Sequence, residues 1–78
     1  MKINGEEVLE FTVRGENQGD LGVSFKTLPE VYDFIKQLKK DDRRFHYTDE
    51  IYSVEVVTPT SVYGDYTIKK YKNKYWLQ

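Results

Sequence analysis

Two stretches of this chain alternate apolar with polar side chains, and a stretch with a three-to-four-residue period follows at once; that change of period confines the chain to a mixed fold. From Glu6 to Arg14, Leu9, Phe11 and Val13 fall on one side and Glu10, Thr12 and Arg14 on the other, the period-2 signature of a strand with one wet face. Gly15-Glu16-Asn17-Gln18-Gly19 interrupts it. From Asp20 to Lys26 the alternation resumes, with Leu21, Val23 and Phe25 against Gly22, Ser24 and Lys26. The two runs read as an antiparallel hairpin with coincident apolar faces.

At Thr27-Leu28-Pro29-Glu30 the period becomes helical. A Thr three residues before a Glu fits a capping box, and a proline is tolerated in the first turn, where its missing N–H has no intrahelical partner. Thr27 or Leu28 serves as the cap, because the residue before proline avoids helical angles. Leu28, Val31, Tyr32, Phe34, Ile35 and Leu38 then share an arc of roughly 160° at about 100° per residue. Lys39 and Lys40 suit the negative end of the helix dipole and Asp41 and Asp42 oppose it, which ends the predicted helix near Lys40. A charged connection, Asp41 to Asp49, leads to a β-rich run, Ile51 to Thr58, with Tyr52, Val54 and Val56 on one face and Ile51, Ser53, Glu55 and Val57 on the other. Two half-apolar faces suit an interior strand. Thr58-Pro59-Thr60-Ser61 stops it, a strand from Val62 or Tyr66 to Tyr71 follows, and Lys72-Asn73-Lys74 turns the chain into Tyr75-Trp76-Leu77.

The sequence thus predicts one α+β domain over residues 1–78, a mostly antiparallel sheet of four to five strands in ββαββ(β) order with one amphipathic helix on one face. The expected core is Leu9, Phe11, Val13, Leu21, Val23, Phe25, Val31, Phe34, Ile35, Leu38 and Val54 or Val56. This element order resembles the β-grasp arrangement of ubiquitin-like and protein-G-like domains. The resemblance covers element order only and carries no function. A chain of 78 residues without cysteine has no disulfide or thiolate metal site to hold it, so its 12 aromatic side chains must help build the core.

Composition narrows the function classes. The longest apolar run is Tyr75-Trp76-Leu77, and Met1 to Glu7 lacks the apolar stretch of a signal peptide, so a cytoplasmic protein without membrane contact is expected. Twelve basic side chains face thirteen acidic ones, which gives no global pull toward nucleic acid. The distribution is uneven: Met1–Asp42 carries 6 basic and 9 acidic residues, Arg43–Gln78 carries 6 and 4. Alanine is absent and lysine outnumbers arginine 9 to 3, a usage common in AT-rich bacterial and phage genomes.

No motif supplies catalysis. His46, the sole imidazole, has Tyr47, Asp49, Glu50 and Ser53 nearby in sequence but no recognised nucleophile motif, and a solvated loop histidine accounts for it. Glu6 and Glu7 point to opposite faces of a strand and cannot converge on one metal. Asp41-Asp42 and Asp49-Glu50 flank the charged connection and are read as solvated surface, with no metal and no cofactor expected. Gly15, Gly19 and Gly22 match no phosphate-binding pattern and read as turn punctuation.

Two binding readings remain. Lys69, Lys70, Tyr71, Lys72, Lys74, Tyr75 and Trp76 interleave rings with cations, the combination that single-stranded nucleic-acid binders use. Six of the seven tyrosines lie beyond residue 45; those that stay exposed, with Arg43, Arg44 and Tyr47 of the charged connection, would form a protein-contact surface. The near-neutral total charge favours the protein partner, as an accessory or inhibitor protein of phage or prophage type or as a homodimer, over nucleic acid. A non-enzymatic binding module is therefore the expectation.

Overall fold

Asn4-Gly5 closes a first hairpin that takes Glu6 and Glu7, and the run expected as one strand from Glu6 to Arg14 is divided at Val8-Leu9. Asn4 and Gly5 hold positive φ, 50° and 81°, as a two-residue hairpin turn requires, so β1 (Lys2–Ile3) pairs with β2 (Glu6–Glu7). The computed structural model, which describes residues 1–44 and 50–78 with backbone alone for Arg43 and Arg44, begins its main sheet only at β3 (Glu10–Gly15). At the joint the chain changes face. Val8 packs on the core, and Leu9, expected inside, is 46% exposed.

The predicted hairpin forms from β3 and β4 (Gly19–Phe25). Gly22 is more than punctuation: at φ 72° it sits where β4 carries extra residues between the pairs Thr12↔Ser24 and Arg14↔Asp20, and its N–H donates to Asp20 Oδ1 at 2.8 Å. This is a bulge that only a residue free of a Cβ penalty holds easily. Next, α1 (Leu28–Arg44) starts at the Thr27 cap, whose N–H and Oγ1 both donate to Glu30 Oε1, at 3.1 and 2.8 Å.

The helix outruns its predicted end by one turn. Gln37 Nε2 donates to Asp41 Oδ1 at 3.1 Å, and Tyr52 OH donates to Asp42 Oδ2 at 2.8 Å. These bonds offset the unfavourable placement of two carboxylates near the helix C-terminus. Arg43 and Arg44 therefore belong to the helix instead of a loop.

After the helix, β5 (Tyr52–Val57) inserts beside β3, and β6 (Val62–Tyr66) flanks it, giving the order β4-β3-β5-β6 with every pair antiparallel. The helix joins β4 to β5 across the intervening β3, and no pair of the main sheet is parallel, so likeness to the β-grasp arrangement, whose central pair is parallel, stops at element order. The last predicted strand is divided at Thr67: β7 (Ile68–Tyr71) and β8 (Lys74–Leu77) form a separate ribbon.

One face of the sheet meets the helix. Phe11, Val13, Tyr52, Val54 and Val56 are buried against Leu28, Val31 and Ile35, and β5 is interior as its pattern indicated. Phe34 and Phe25 lie half-buried with ring centroids 5.1 Å apart, confirming the helix phase.

Glu50 departs most from expectation. Read as solvated, it is 8% exposed, and its carboxylate accepts from Asn17 N (3.0 Å), Asn17 Nδ2 (3.2 Å) and Gln18 N (3.1 Å). A side chain on Gly15 would place its Cβ 3.1 Å from Glu50 Oε2, so that glycine makes room for the carboxylate. Bonds to a charged group are each worth about 1.5–3 kcal/mol. Glu50→Ala is therefore expected to lower unfolding free energy by about 2–3 kcal/mol in urea titrations; a loss within experimental error would remove the carboxylate from this role.

Tyr52 gives a second test. Burial, then its bond to Asp42 and the negative charges of Asp42 and Glu50, push its hydroxyl up to about 12 from 10.0. The unfolded chain ionises first, so this contribution is complete below pH 10 and is lost as pH rises toward 12. Tyr52→Phe should lose less stability than the parent across that window, as measured by urea midpoints at stepped pH.

Candidate functional site

The C-terminal ribbon sorts the basic-aromatic segment into two faces. Its register pairs Ile68 with Leu77, Lys69 with Trp76, Lys70 with Tyr75 and Tyr71 with Lys74. Opposed residues in an antiparallel pair share a face and successive ones alternate. Ile68, Lys70, Tyr75 and Leu77 therefore face the helix side, where Ile68, Tyr75 and Leu77 pack on the core. Lys69, Tyr71, Lys74 and Trp76 occupy the other face.

On that outer face, rings and cations form a checkerboard. Tyr71 is 66% and Trp76 42% exposed, and Lys69 and Lys74 occupy the other diagonal. Lys72 sits in the two-residue loop at φ 56°, its Nζ 5.5 Å from the Tyr71 ring centroid. Positive φ is unfavourable for a long side chain; the Tyr71↔Lys74 pairing that closes the loop requires it.

Trp76 also borders a cavity of about 230 Å³ between the ribbon and the N-terminal hairpin, lined largely by Met1, Ile3, Val8, Val56, Tyr66 and Leu77. The hairpin wall is fastened by Glu6, which accepts from Thr60 Oγ1, from Thr58 Oγ1 at 3.2 Å and from Tyr63 OH at 3.2 Å. Thr60 foremost, then Tyr63 and Thr58, hold the Glu6 carboxyl below its ordinary value of 4.5 against a smaller opposing effect of burial.

The other predicted site residues are dispersed. Tyr75 turns inward, its ring edge-on to Tyr32 at 5.6 Å, and Lys70 Nζ lies 5.3 and 5.4 Å from the Tyr32 and Tyr75 centroids. Of the remaining late tyrosines in the described residues, Tyr52 is buried and Tyr63 and Tyr66 pack on the core. Arg43 and Arg44 lie in the last turn of α1, while Tyr47 and His46 are outside the described residues. Sequence reasoning missed the cavity, whose signal was Asn4-Gly5: that turn brings Met1 and Ile3 against the C-terminal ribbon.

Among the described residues no three acidic or histidine side chains come together as a metal site, and no helix is long and apolar enough to cross a membrane. In comparisons with known proteins, no family model, no curated protein and no solved structure matched the chain.

The Glu6 contact yields a measurable consequence. A carboxylate held below its unfolded value stabilises above about pH 4.5, and that contribution is lost as pH falls through the native value. Glu6→Gln should therefore show a smaller loss of stability on acidification below pH 4.5 than the parent chain, measured by thermal unfolding at stepped pH; identical slopes would contradict the assignment.

Proposed function

We propose that the chain is a non-catalytic, cytoplasmic protein-binding module that docks an acidic partner through the outer face of the C-terminal ribbon. The observation that carries this reading is Trp76, which belongs both to the exposed checkerboard and to the rim of the apolar cavity. Protein interfaces concentrate their energy in aromatic anchors beside pockets that an apolar side chain fills. Lys69 and Lys74 complement a partner that surrounds such an apolar anchor with carboxylates.

Sheet extension is a poorer route to a partner or to a homodimer. Both edge strands of the main sheet are interrupted, β4 at Gly22 and β6 between Tyr63 and Tyr66, where Asp65 holds φ 63°. Such bulges oppose the continuous ladder that edge pairing requires. Side-chain docking on the ribbon avoids that obstacle.

The checkerboard itself favours a second reading, single-stranded nucleic acid, because alternating rings and cations suit bases and phosphates. The two faces limit that option. Lys70 lies opposite Lys69 and Lys74, so one strand on the outer face reaches at most Lys69, Lys72 and Lys74. At about −0.7 per contact the log–log salt slope would be near −2, about a twentyfold loss between 50 and 200 mM salt.

The deciding experiment pairs an affinity pull-down, with and without nuclease, with titration of a labelled single-stranded oligonucleotide at two salt concentrations. A protein partner retained after nuclease and bound about thirtyfold more weakly by Trp76→Ala is the expected result. Submicromolar oligonucleotide affinity near physiological salt, lost in both Trp76→Ala and Lys74→Glu, would replace the protein reading with the nucleic-acid one.

A further inference from the structure

The helix-facing side of the ribbon carries a second feature, independent of the docking face. Along one flank of α1, Tyr32, Ile35, Lys36 and Lys39 border a cleft of about 160 Å³ closed on its far side by Ile68 of β7. The floor is apolar: Ile35 is buried, and Tyr32 and Ile68 are half-buried. The lip is cationic. No acidic residue lines the cleft among the described residues, and the one ion pair among them joins the N-terminal ammonium to Glu7. Lys70 adds a third ammonium beside the Tyr32 ring.

Two ammonium groups on the lip of a low-dielectric floor, with no carboxylate in the lining and a third ammonium beside Tyr32, focus a positive potential into the cleft. The space has the size of cavities that hold a single benzene-sized molecule, which fill at about 150 Å³. An inorganic anion would leave the apolar floor uncovered, and a neutral hydrocarbon would leave the ammonium groups without a counter-charge. A ligand with both parts satisfies both walls.

We propose that this cleft is a binding site for a small organic anion, a compact apolar body bearing one carboxylate or phosphate. The body lies on Ile35, Ile68 and the Tyr32 ring, and the anionic group meets the ammonium groups of Lys36 and Lys39. Lys70, on the ribbon, adds positive charge beside the Tyr32 ring.

The test is an amide NMR titration of the full chain with phenyl phosphate and benzoate as probes, beside inorganic phosphate and benzyl alcohol, which each supply half of the chemistry. Saturable shifts at Tyr32, Ile35 and Ile68 with at least one of the two aromatic anions, and binding at least about tenfold weaker for inorganic phosphate and benzyl alcohol, are expected. Lys36→Gln combined with Lys39→Gln, at exposed positions that should leave the spectrum dispersed, should weaken binding about tenfold or more, while Trp76→Ala should leave it unchanged. The assignment is overturned if neither aromatic anion saturates the cleft, if inorganic phosphate or benzyl alcohol binds equally well, if the double variant binds like the parent, or if the saturable shifts map to the outer face of the ribbon.

Discussion

The pairing of β3 with β5 is the interaction on which the rest of the molecule depends. Six consecutive residues match, from Glu10↔Val57 to Gly15↔Tyr52, and they join segments about forty residues apart in the chain. Val13 and Val54 face each other fully buried, and Phe11 lies opposite Val56. Without this ladder the β3–β4 hairpin would have half a core and the helix little to cover. Closing so long a loop is entropically costly, and burial of the shared valine face under α1 offsets that cost.

Each end of the central pair is fastened by a carboxylate. At one end Glu50 gathers the backbone N–H groups of the loop between β3 and β4; at the other, Glu6 gathers hydroxyls from the connection between β5 and β6 and from Tyr63 of β6. Both residues belong to acidic pairs that resemble ordinary solvated surface when read along the chain. Their partners lie more than thirty residues away, which local spacing does not reveal. The same long reach anchors Tyr52 to Asp42 and extends the helix past the point where its dipole would end it.

The ribbon adds two surfaces to this frame. Its alternation places Trp76 and Tyr71 with two lysines on the outside and sets Tyr75 and Lys70 toward Tyr32 on the helix side. A segment that is uniformly basic and aromatic in sequence therefore presents two chemically different surfaces. One is open with exposed rings, and the other borders a cleft whose cations lie beside an apolar floor.

By itself, the sequence determined the α+β class, the β3–β4 hairpin, the helix with Thr27 or Leu28 as its cap, and an interior strand with Tyr52, Val54 and Val56 on one face. Those features rest on local periodicity and on bonds between residues three or four apart, and they remain visible in one dimension. The interleaved lysines and rings of the ribbon were equally legible as a candidate surface. Only the tertiary structure decided that β5 pairs with β3, that Leu9 turns outward after Val8, and that Glu50 and Glu6 become anchors. It also divided the candidate surface, leaving Trp76 beside a cavity and turning Tyr75 inward. The physical reason is common to all of these: each depends on which distant segment supplies the partner group, and a hydrogen-bonding or apolar residue specifies the need for a partner without specifying where in the chain it will be found.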